Sequence, residues 1–199
     1  RVSALVLMVP AAYVPRSGGE AAVRTPPGTL QLFNTALRSN FLFWAIRRAA
    51  PTLMIRGLLG TPPGLVERAD AADRARVEAM LDEILPVTDR RLGLLNDAAV
   101  TTTIARYALE DVSAPTLTIS TADDLYGTYD AARYTAEQIP GARFVGYPDG
   151  GHMLVGHNVI GIVAARAPHL IRTEQRLTGL GQAQRDSAVH ALVIHRHAL

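Results

Sequence analysis

Cysteine is absent from the 199 residues of this chain, and so is lysine. Without cysteine the chain has no disulfide, no thiolate metal ligand and no cysteine nucleophile. Schiff-base chemistry is excluded as well, because all 20 of the basic residues are arginine. Catalysis by this chain would therefore depend on histidine, on carboxylates and on hydroxyl groups.

Long hydrophobic runs and a strong net charge are also missing. No apolar run approaches the ~20 residues of a membrane-spanning helix. The apolar segment from Ala4 to Val14 has the length of a signal peptide, but Pro10 interrupts it and no basic segment or cleavage site accompanies it. The formal net charge of +2 is too small to indicate nucleic-acid binding. We expect a cytoplasmic protein with neither a membrane nor a nucleic-acid partner.

Motifs for cofactors and metals are scarce too. The chain contains no Gly-x-Gly-x-x-Gly sequence, the phosphate-binding turn of dinucleotide-binding proteins. His195 and His197 form a His-x-His pair with His190 nearby, but no cysteine or suitably placed carboxylate completes a zinc site. We expect no metal and no cofactor.

The stretch from Ala114 to His157 predicts a strand, a helix and a second strand. Pro115 to Ile119 is a short apolar run rich in β-forming residues, which is typical of a buried strand. An apolar stripe from Leu125 to Ile139 repeats at helical spacing, and Pro140 ends it. The second strand is expected from Arg143 to Tyr147.

Each of these two strands is followed by residues suited to acid–base catalysis. Asp123 and Asp124 follow the first strand, and His152 follows the second, directly after Gly150 and Gly151. In a parallel sheet both turns lie at the carboxyl edge, where ligands bind. An imidazole can accept and return a proton near neutral pH, and a carboxylate on its other nitrogen orients it. The structural alternative is that the acids only form a turn and His152 caps a helix.

With this arrangement the chain resembles the C-terminal part of the α/β-hydrolase fold family. In that family a Gly-x-x-Asp-like turn carries the catalytic acid and a Gly-Gly-His-like turn carries the base. Thr121 stands where the family usually has glycine, so the match implies Asp124 as the acid, with Asp123 as second choice, and His152 as the base. The implied fold is α/β: the C-terminal half of an α/β-hydrolase parallel sheet with an inserted helical lid.

The resemblance divides the chain into four parts. Residues 1–28 would hold a core strand, predicted over Val2 to Val9, and a connector rich in proline and glycine. Residues 29–110 have helical periods and would form the lid, and residues 111–172 would return to the core. Residues 173–199 form a tail of uncertain structure, either an unusual extension or the product of a shifted reading frame. We expect the chain to begin partway through the fold.

The predicted lid contains six large apolar residues of interest: Phe33, Phe41, Phe43, Trp44, Met54 and Met80. They either line a pocket for a hydrophobic small-molecule substrate or pack as the core of the lid. The second interpretation is favoured, because side chains of this kind are usually buried in a core.

The nucleophile expected of the family is missing from this chain. It should lie on a Gly-x-Ser-x-Gly turn between a strand and a helix, and none of the six serines occurs in that frame. The resemblance implies that the nucleophile and the oxyanion hole lie upstream. The predicted function is hydrolysis of an ester, thioester, lactone or related carbonyl substrate by a Ser-His-Asp mechanism, with this chain alone inactive.

Two other functions stay open. An upstream aspartate nucleophile would make the protein an epoxide hydrolase or a haloalkane dehalogenase. Epoxide opening in such relatives uses lid tyrosines, and Tyr107 is the only tyrosine near the end of the lid. The missing nucleophile and the unusual tail also suit a non-catalytic binding protein with an α/β-hydrolase-like fold.

Overall fold

Parallel strands flanked by helices make up the part of the chain described by a computed structural model, residues 2–15, 27–101, 103–157 and 193–195. The strands are β1 Val2–Met8, β2 Thr116–Thr121, β3 Arg143–Tyr147 and β4 Val193–His195. The helices are α1 Pro27–Ala36, α2 Asn40–Ala49, α3 Pro51–Leu58, α4 Pro63–Arg68, α5 Ala71–Glu83, α6 Val87–Thr101 and α7 Thr128–Gln138, and a short 3-10 helix covers Leu109–Asp111. The predicted α/β class is confirmed.

The strands form one sheet in the order β3-β2-β1-β4. β1 pairs with β2 in parallel and β2 pairs with β3 in parallel, whereas β4 is antiparallel to β1. The three strands predicted from the sequence are confirmed to within two residues. The predicted strand at Pro115 to Ile119 was too short, because Thr121 still pairs with Tyr147 and closes β2.

β2 is the central strand of the parallel trio, and all six of its residues are buried. Its apolar side chains Leu117 and Ile119 pack in a cluster with Val6 of β1 and Val145 of β3. The Thr118 hydroxyl donates to the carbonyl of Ala132 in α7, at 3.0 Å. Small residues on α7 allow this close approach to the sheet.

Helix α7 begins later than the sequence pattern predicted. Leu125 was expected in its first turn, but the helix starts at Thr128. Asp124 and Gly127 account for the difference, because the Gly127 N–H donates to the Asp124 carbonyl and Gly127 adopts a left-handed φ of 68°. The chain therefore makes a tight turn before it can enter the helix.

Residues 29–110 were expected to be helical, and six helices lie between residues 27 and 101. Within this region residues 104–108 are neither helix nor strand and lead into the 3-10 helix. Prolines at the starts of α3 and α4 separate each of these helices from the one before it, because proline lacks an N–H and is tolerated only in a first turn.

A second apolar cluster joins these helices to the turn that carries His152. Phe43, Val77 and Val87 have no exposed surface, and they share the cluster with Met153 and Val155. Of the six large residues singled out in the sequence, Phe43 and Met54 are buried, Phe33 and Met80 are partly buried, and Phe41 and Trp44 are exposed. Phe43 and Met54 therefore pack in the core, and Met80 packs against it.

Several sequence predictions fall outside the described residues. They concern most of the connector, residues 158–172 of the predicted core, the tail from residue 173 apart from the backbone of β4, and the side chains of His190, His195 and His197. Within the ranges given above, no helix is both long enough and apolar enough to cross a membrane.

Two phenylalanines on α2 provide a test of the helical core. Phe43 has no exposed surface, whereas Phe41, two residues away on the same helix, is 74% exposed. We expect Phe43→Ala to lower the free energy of unfolding by about 3–5 kcal/mol because it opens a cavity. Phe41→Ala should change it by less than about 0.5 kcal/mol. Urea denaturation followed by circular dichroism measures both, and equal losses would contradict this packing.

Candidate active site

The acid turn follows β2 and places Asp124 in the interior. Its side chain has no exposed surface. One carboxylate oxygen, Oδ1, accepts the N–H of Tyr126 at 2.8 Å, which closes the turn on the side chain itself. This local hydrogen bond is typical of aspartate at turns.

The histidine turn follows β3 and depends on two glycines. Gly150 and Gly151 have φ values of 128° and 60°, a region that other residues rarely adopt. Three hydrogen bonds join this turn to the acid turn. The Asp123 carboxylate accepts the Gly151 N–H at 2.8 Å, the Thr121 hydroxyl donates to the Gly151 carbonyl at 3.0 Å, and the Ala122 N–H donates to the carbonyl of Tyr147 at 2.9 Å.

Asp124 and His152 meet where the two turns come together. The Nδ1 atom of His152 lies 3.0 Å from Oδ2 of Asp124, and the imidazole is 15% exposed. An ionised carboxylate can only accept hydrogen bonds, so Nδ1 carries the proton and donates it. Asp123, the second choice from the sequence, instead holds the backbone of Gly151.

The buried carboxylate of Asp124 has three donors. Tyr126 N–H reaches Oδ1, while His152 Nδ1 and the Thr128 hydroxyl both reach Oδ2. Burying a charge is costly unless hydrogen bonds replace the lost water. Thr128 was missed by the sequence analysis, because a threonine in a first helical turn is usually only a local capping residue.

Tyr126 is a second residue that the sequence analysis missed. Its ring meets the imidazole of His152 edge-on, with centroids 4.8 Å apart and an interplanar angle of 83°. Its hydroxyl donates to the carbonyl of Leu58 at 2.8 Å. Desolvation, with a smaller effect from the negative charge of Asp124, raises the pKa of Tyr126 to about 12. The tyrosine therefore remains a donor at neutral pH.

The loop between α3 and α4 supports both turns from the helical side. The Gly60 carbonyl accepts the N–H of Leu125 at 2.9 Å and the N–H of His152 at 3.3 Å. The buried hydroxyl of Thr61 accepts the N–H of Met153 at 3.0 Å and donates to the carbonyl of Leu59 at 2.9 Å. The position of His152 thus depends on residues some ninety places earlier in the chain.

Helix α5 holds the far side of the histidine turn. The Asp73 carboxylate accepts the N–H of Gly156 at 2.6 Å, and the Arg76 guanidinium donates to the carbonyl of Met153 at 3.0 Å. Asp73 and Arg76 also form an ion pair with each other, at 2.6 Å. No local pattern marks these two residues, because an acidic and a basic residue three apart are common on any exposed helix.

The other histidine of this region, His157, contacts Tyr147 and Asp149. Its ring stacks on Tyr147 with centroids 3.9 Å apart, and its Nε2 lies 2.8 Å from the carbonyl oxygen of Asp149. These contacts hold the end of the histidine turn. No group of three histidine or carboxylate side chains that could hold a metal ion occurs in the described part of the chain.

Substitution of Gly151 tests how closely the α3–α4 loop holds the histidine turn. A Cβ at Gly151 would lie 2.6 Å from Thr61 Cγ2 and 2.9 Å from Thr61 Cα, whereas a Cβ at Gly156 meets nothing within 4 Å. Both glycines have positive φ, so both alanine variants carry a strain of about 1–3 kcal/mol. We expect Gly151→Ala to cost a further 1–3 kcal/mol or so through overpacking. Thermal or urea unfolding that gave equal losses would contradict the contact with Thr61.

Comparison with known proteins found matches among solved structures. No family model matches the chain, and no curated protein matches it. Among solved structures it is similar to the crystal structure of a hydrolase from Pseudomonas aeruginosa PA01, with 26% sequence identity and a TM-score of 0.42. The match covers 90% of this chain, and the chain spans 56% of the length of that hydrolase. A TM-score this low does not establish a shared fold.

Proposed function

We propose that the protein is a hydrolase in which His152 is the general base and Asp124 orients it. The observation that carries this proposal is the 3.0 Å hydrogen bond between His152 Nδ1 and Asp124 Oδ2 at the carboxyl edge of parallel strands. The carboxylate has no exposed surface, whereas the imidazole retains some. A base of this kind must be reachable by substrate, and its orienting acid must be shielded from water.

The chemistry follows from the tautomer that Asp124 selects. With Nδ1 protonated, the other ring nitrogen, Nε2, is the one that can take a proton from a serine hydroxyl. The serine oxygen then attacks the carbonyl carbon, and the proton passes from His152 to the leaving group as the acyl-enzyme forms. In the second half of the reaction water gives a proton to His152 and attacks the acyl carbon, and His152 passes that proton to the serine oxygen as the acyl–serine bond breaks and the acid is released. Asp124 stabilises the imidazolium in both halves without taking up the proton.

The nucleophile in this proposal comes from residues upstream of Arg1. Two of the serines in this chain support this choice because their hydroxyls have other partners. Ser39 caps helix α2. The hydroxyl of Ser120, a buried residue of β2, lies within hydrogen-bonding distance of the Thr128 hydroxyl. We propose further that the chain is the C-terminal part of an α/β-hydrolase fold and that the helices of residues 29–110 are its lid. The substrate class is an ester, thioester, lactone or related carbonyl compound.

The lid in this proposal is anchored rather than free at the histidine turn. Gly60, Thr61, Asp73 and Arg76 all bond the backbone of residues 152–156 or of the acid turn. Opening for substrate would therefore involve α2, which carries the exposed residues Phe41 and Trp44, or α6, which carries the exposed Leu92. Such residues suit a hydrophobic small-molecule substrate.

The two aspartates of the acid turn give a matched test of the mechanism. In the full-length protein we expect Asp124→Asn to lower kcat/KM for p-nitrophenyl esters by about 10⁴-fold. Asp123→Asn keeps an oxygen that can accept the Gly151 N–H, so its activity should stay within about tenfold of the parent. If Asp124→Asn lost less activity than Asp123→Asn, then Asp123 and not Asp124 would be the acid that orients His152.

Removal of the base gives a second test. We expect His152→Ala in the same full-length protein to lose several orders of magnitude in ester turnover, about 10⁴-fold or more. Near-parental activity would remove His152 from the mechanism. The parent protein should also be labelled by a fluorophosphonate on an upstream serine, and peptide mass spectrometry would identify that residue.

Two other outcomes would lead to different functions. If a single turnover in H₂¹⁸O placed the label in an enzyme aspartate instead of the product, the nucleophile would be a carboxylate, as in epoxide hydrolases and haloalkane dehalogenases. If the full-length protein showed neither turnover nor labelling but bound small hydrophobic molecules, a non-catalytic binding function would replace the hydrolase. The geometry of Asp124 and His152 favours a catalytic function over the binding function, and the identity of the upstream nucleophile decides between the two catalytic mechanisms.

A further inference from the structure

Two buried hydroxyl groups form a hydrogen-bond chain that ends at the carboxylate of Asp124. Ser120 in β2 has no exposed surface, and Thr128 in the first turn of α7 is 4% exposed. Their oxygens are 2.9 Å apart. The Thr128 hydroxyl also bonds Oδ2 of Asp124. The hydrogen-bond chain therefore runs from the Ser120 hydroxyl through the Thr128 hydroxyl to the carboxylate of Asp124.

The direction of this chain follows from counting protons. A hydroxyl has one proton to donate, and an ionised carboxylate has none. Thr128 must therefore donate its proton to Asp124, which leaves its oxygen to accept a proton from Ser120. Hydrogen bonds in such a chain polarise one another, so the bond from Ser120 makes Thr128 a better donor.

Thr128 donates to the same oxygen that His152 uses. Oδ2 of Asp124 accepts both the Thr128 hydroxyl and His152 Nδ1, whereas Oδ1 accepts the backbone N–H of Tyr126. When one carboxylate oxygen accepts two hydrogen bonds, each donor interacts with a smaller share of the negative charge on that oxygen. Thr128 should therefore weaken the attraction between Asp124 and the protonated imidazole.

We propose that Thr128, assisted by Ser120, is a positioning residue that holds the Asp124 carboxylate and moderates the basicity of His152. The hydrogen-bond chain stands on its own geometry, but its importance for catalysis rests on the proposed hydrolase function. Too basic an imidazole stays protonated and cannot act as a base, so a donor on the acid would be useful near neutral pH.

Other polar and charged side chains also lie around His152. Tyr126 presents its ring edge to the imidazole, and Asp123 bonds the N–H of Gly151 next to it. On the helical side, Arg76 bonds the carbonyl of Met153, and Asp73 bonds the N–H of Gly156. None of these contacts involves Thr128 or Ser120, so a change at either hydroxyl leaves the surrounding charges in place.

The test is to follow the titration of His152 by NMR with ring-¹³C histidine, its resonance being assigned by its loss in His152→Gln. Thr128→Val has nearly the same shape but no donor. We expect the His152 midpoint to move to higher pH, corresponding to a proton affinity about threefold greater. Thr128→Ser should return it to the parental value. Ser120→Ala should move it in the same direction by a smaller amount.

Thr135 supplies a matched control on the same helix. It is 1% exposed, and its hydroxyl oxygen has no hydrogen-bond partner within the described ranges. Thr135→Val therefore removes a buried hydroxyl from α7 without touching the acid, and the His152 midpoint should not move. Circular dichroism of every variant checks that it is folded.

Each result of the His152 titration either supports the proposal or overturns it. A folded Thr128→Val protein with an unchanged or lowered midpoint would overturn the proposal, and so would a Thr135→Val protein that shifts as much. If Thr128→Val does not fold, Ser120→Ala carries the test, and an unchanged midpoint there overturns it. The titration needs no turnover, so a full-length protein without hydrolase activity would end the proposed function while leaving this result standing.

Discussion

The parallel pairing of β2 with β3 is the constraint on which the site depends. In that register Thr121 lies beside Tyr147, so both strands end at the same level of the sheet. The turns that follow then start side by side, and the Ala122 N–H bonds the Tyr147 carbonyl across them. A shift of one residue would exchange the faces of β3 and separate the acid turn from the histidine turn.

Once the turns are side by side, small and polar residues bring Asp124 and His152 within hydrogen-bonding distance of each other. Gly151 lets the chain pass close to Thr61, where a Cβ would collide with both its side chain and its backbone. Thr121 and Asp123 bond the two polar groups of Gly151, one the carbonyl and the other the N–H. The imidazole is thus placed by backbone hydrogen bonds on each side of it and not only by its own bond to the acid.

The helical region contributes to the site more directly than a detached cover would. Met153 and Val155, one and three residues after His152, are buried in the same apolar cluster as Phe43 and Val77. Polar contacts from Thr61 and from α5 fix the backbone of that same turn. Loss of packing among the helices should therefore disturb the histidine as well as lower stability.

The sequence by itself determined the local elements and the residue types at the strand ends. Apolar runs marked the strands, proline ended the predicted helix at Pro140, and the pair Gly150–Gly151 before His152 marked a sharp turn, because each of these signals depends only on near neighbours. The resemblance to the α/β-hydrolase family implied Asp124 over Asp123, and the structure brings Asp124 to the imidazole. The tertiary structure alone decided which distant groups support this pair: the carbonyl of Gly60, the hydroxyl of Thr61, the Asp73–Arg76 ion pair and the Ser120–Thr128 hydroxyl chain. Such contacts join residues that are far apart in sequence or lie on different elements, and their energy depends on distances that exist only after the sheet and helices have packed together.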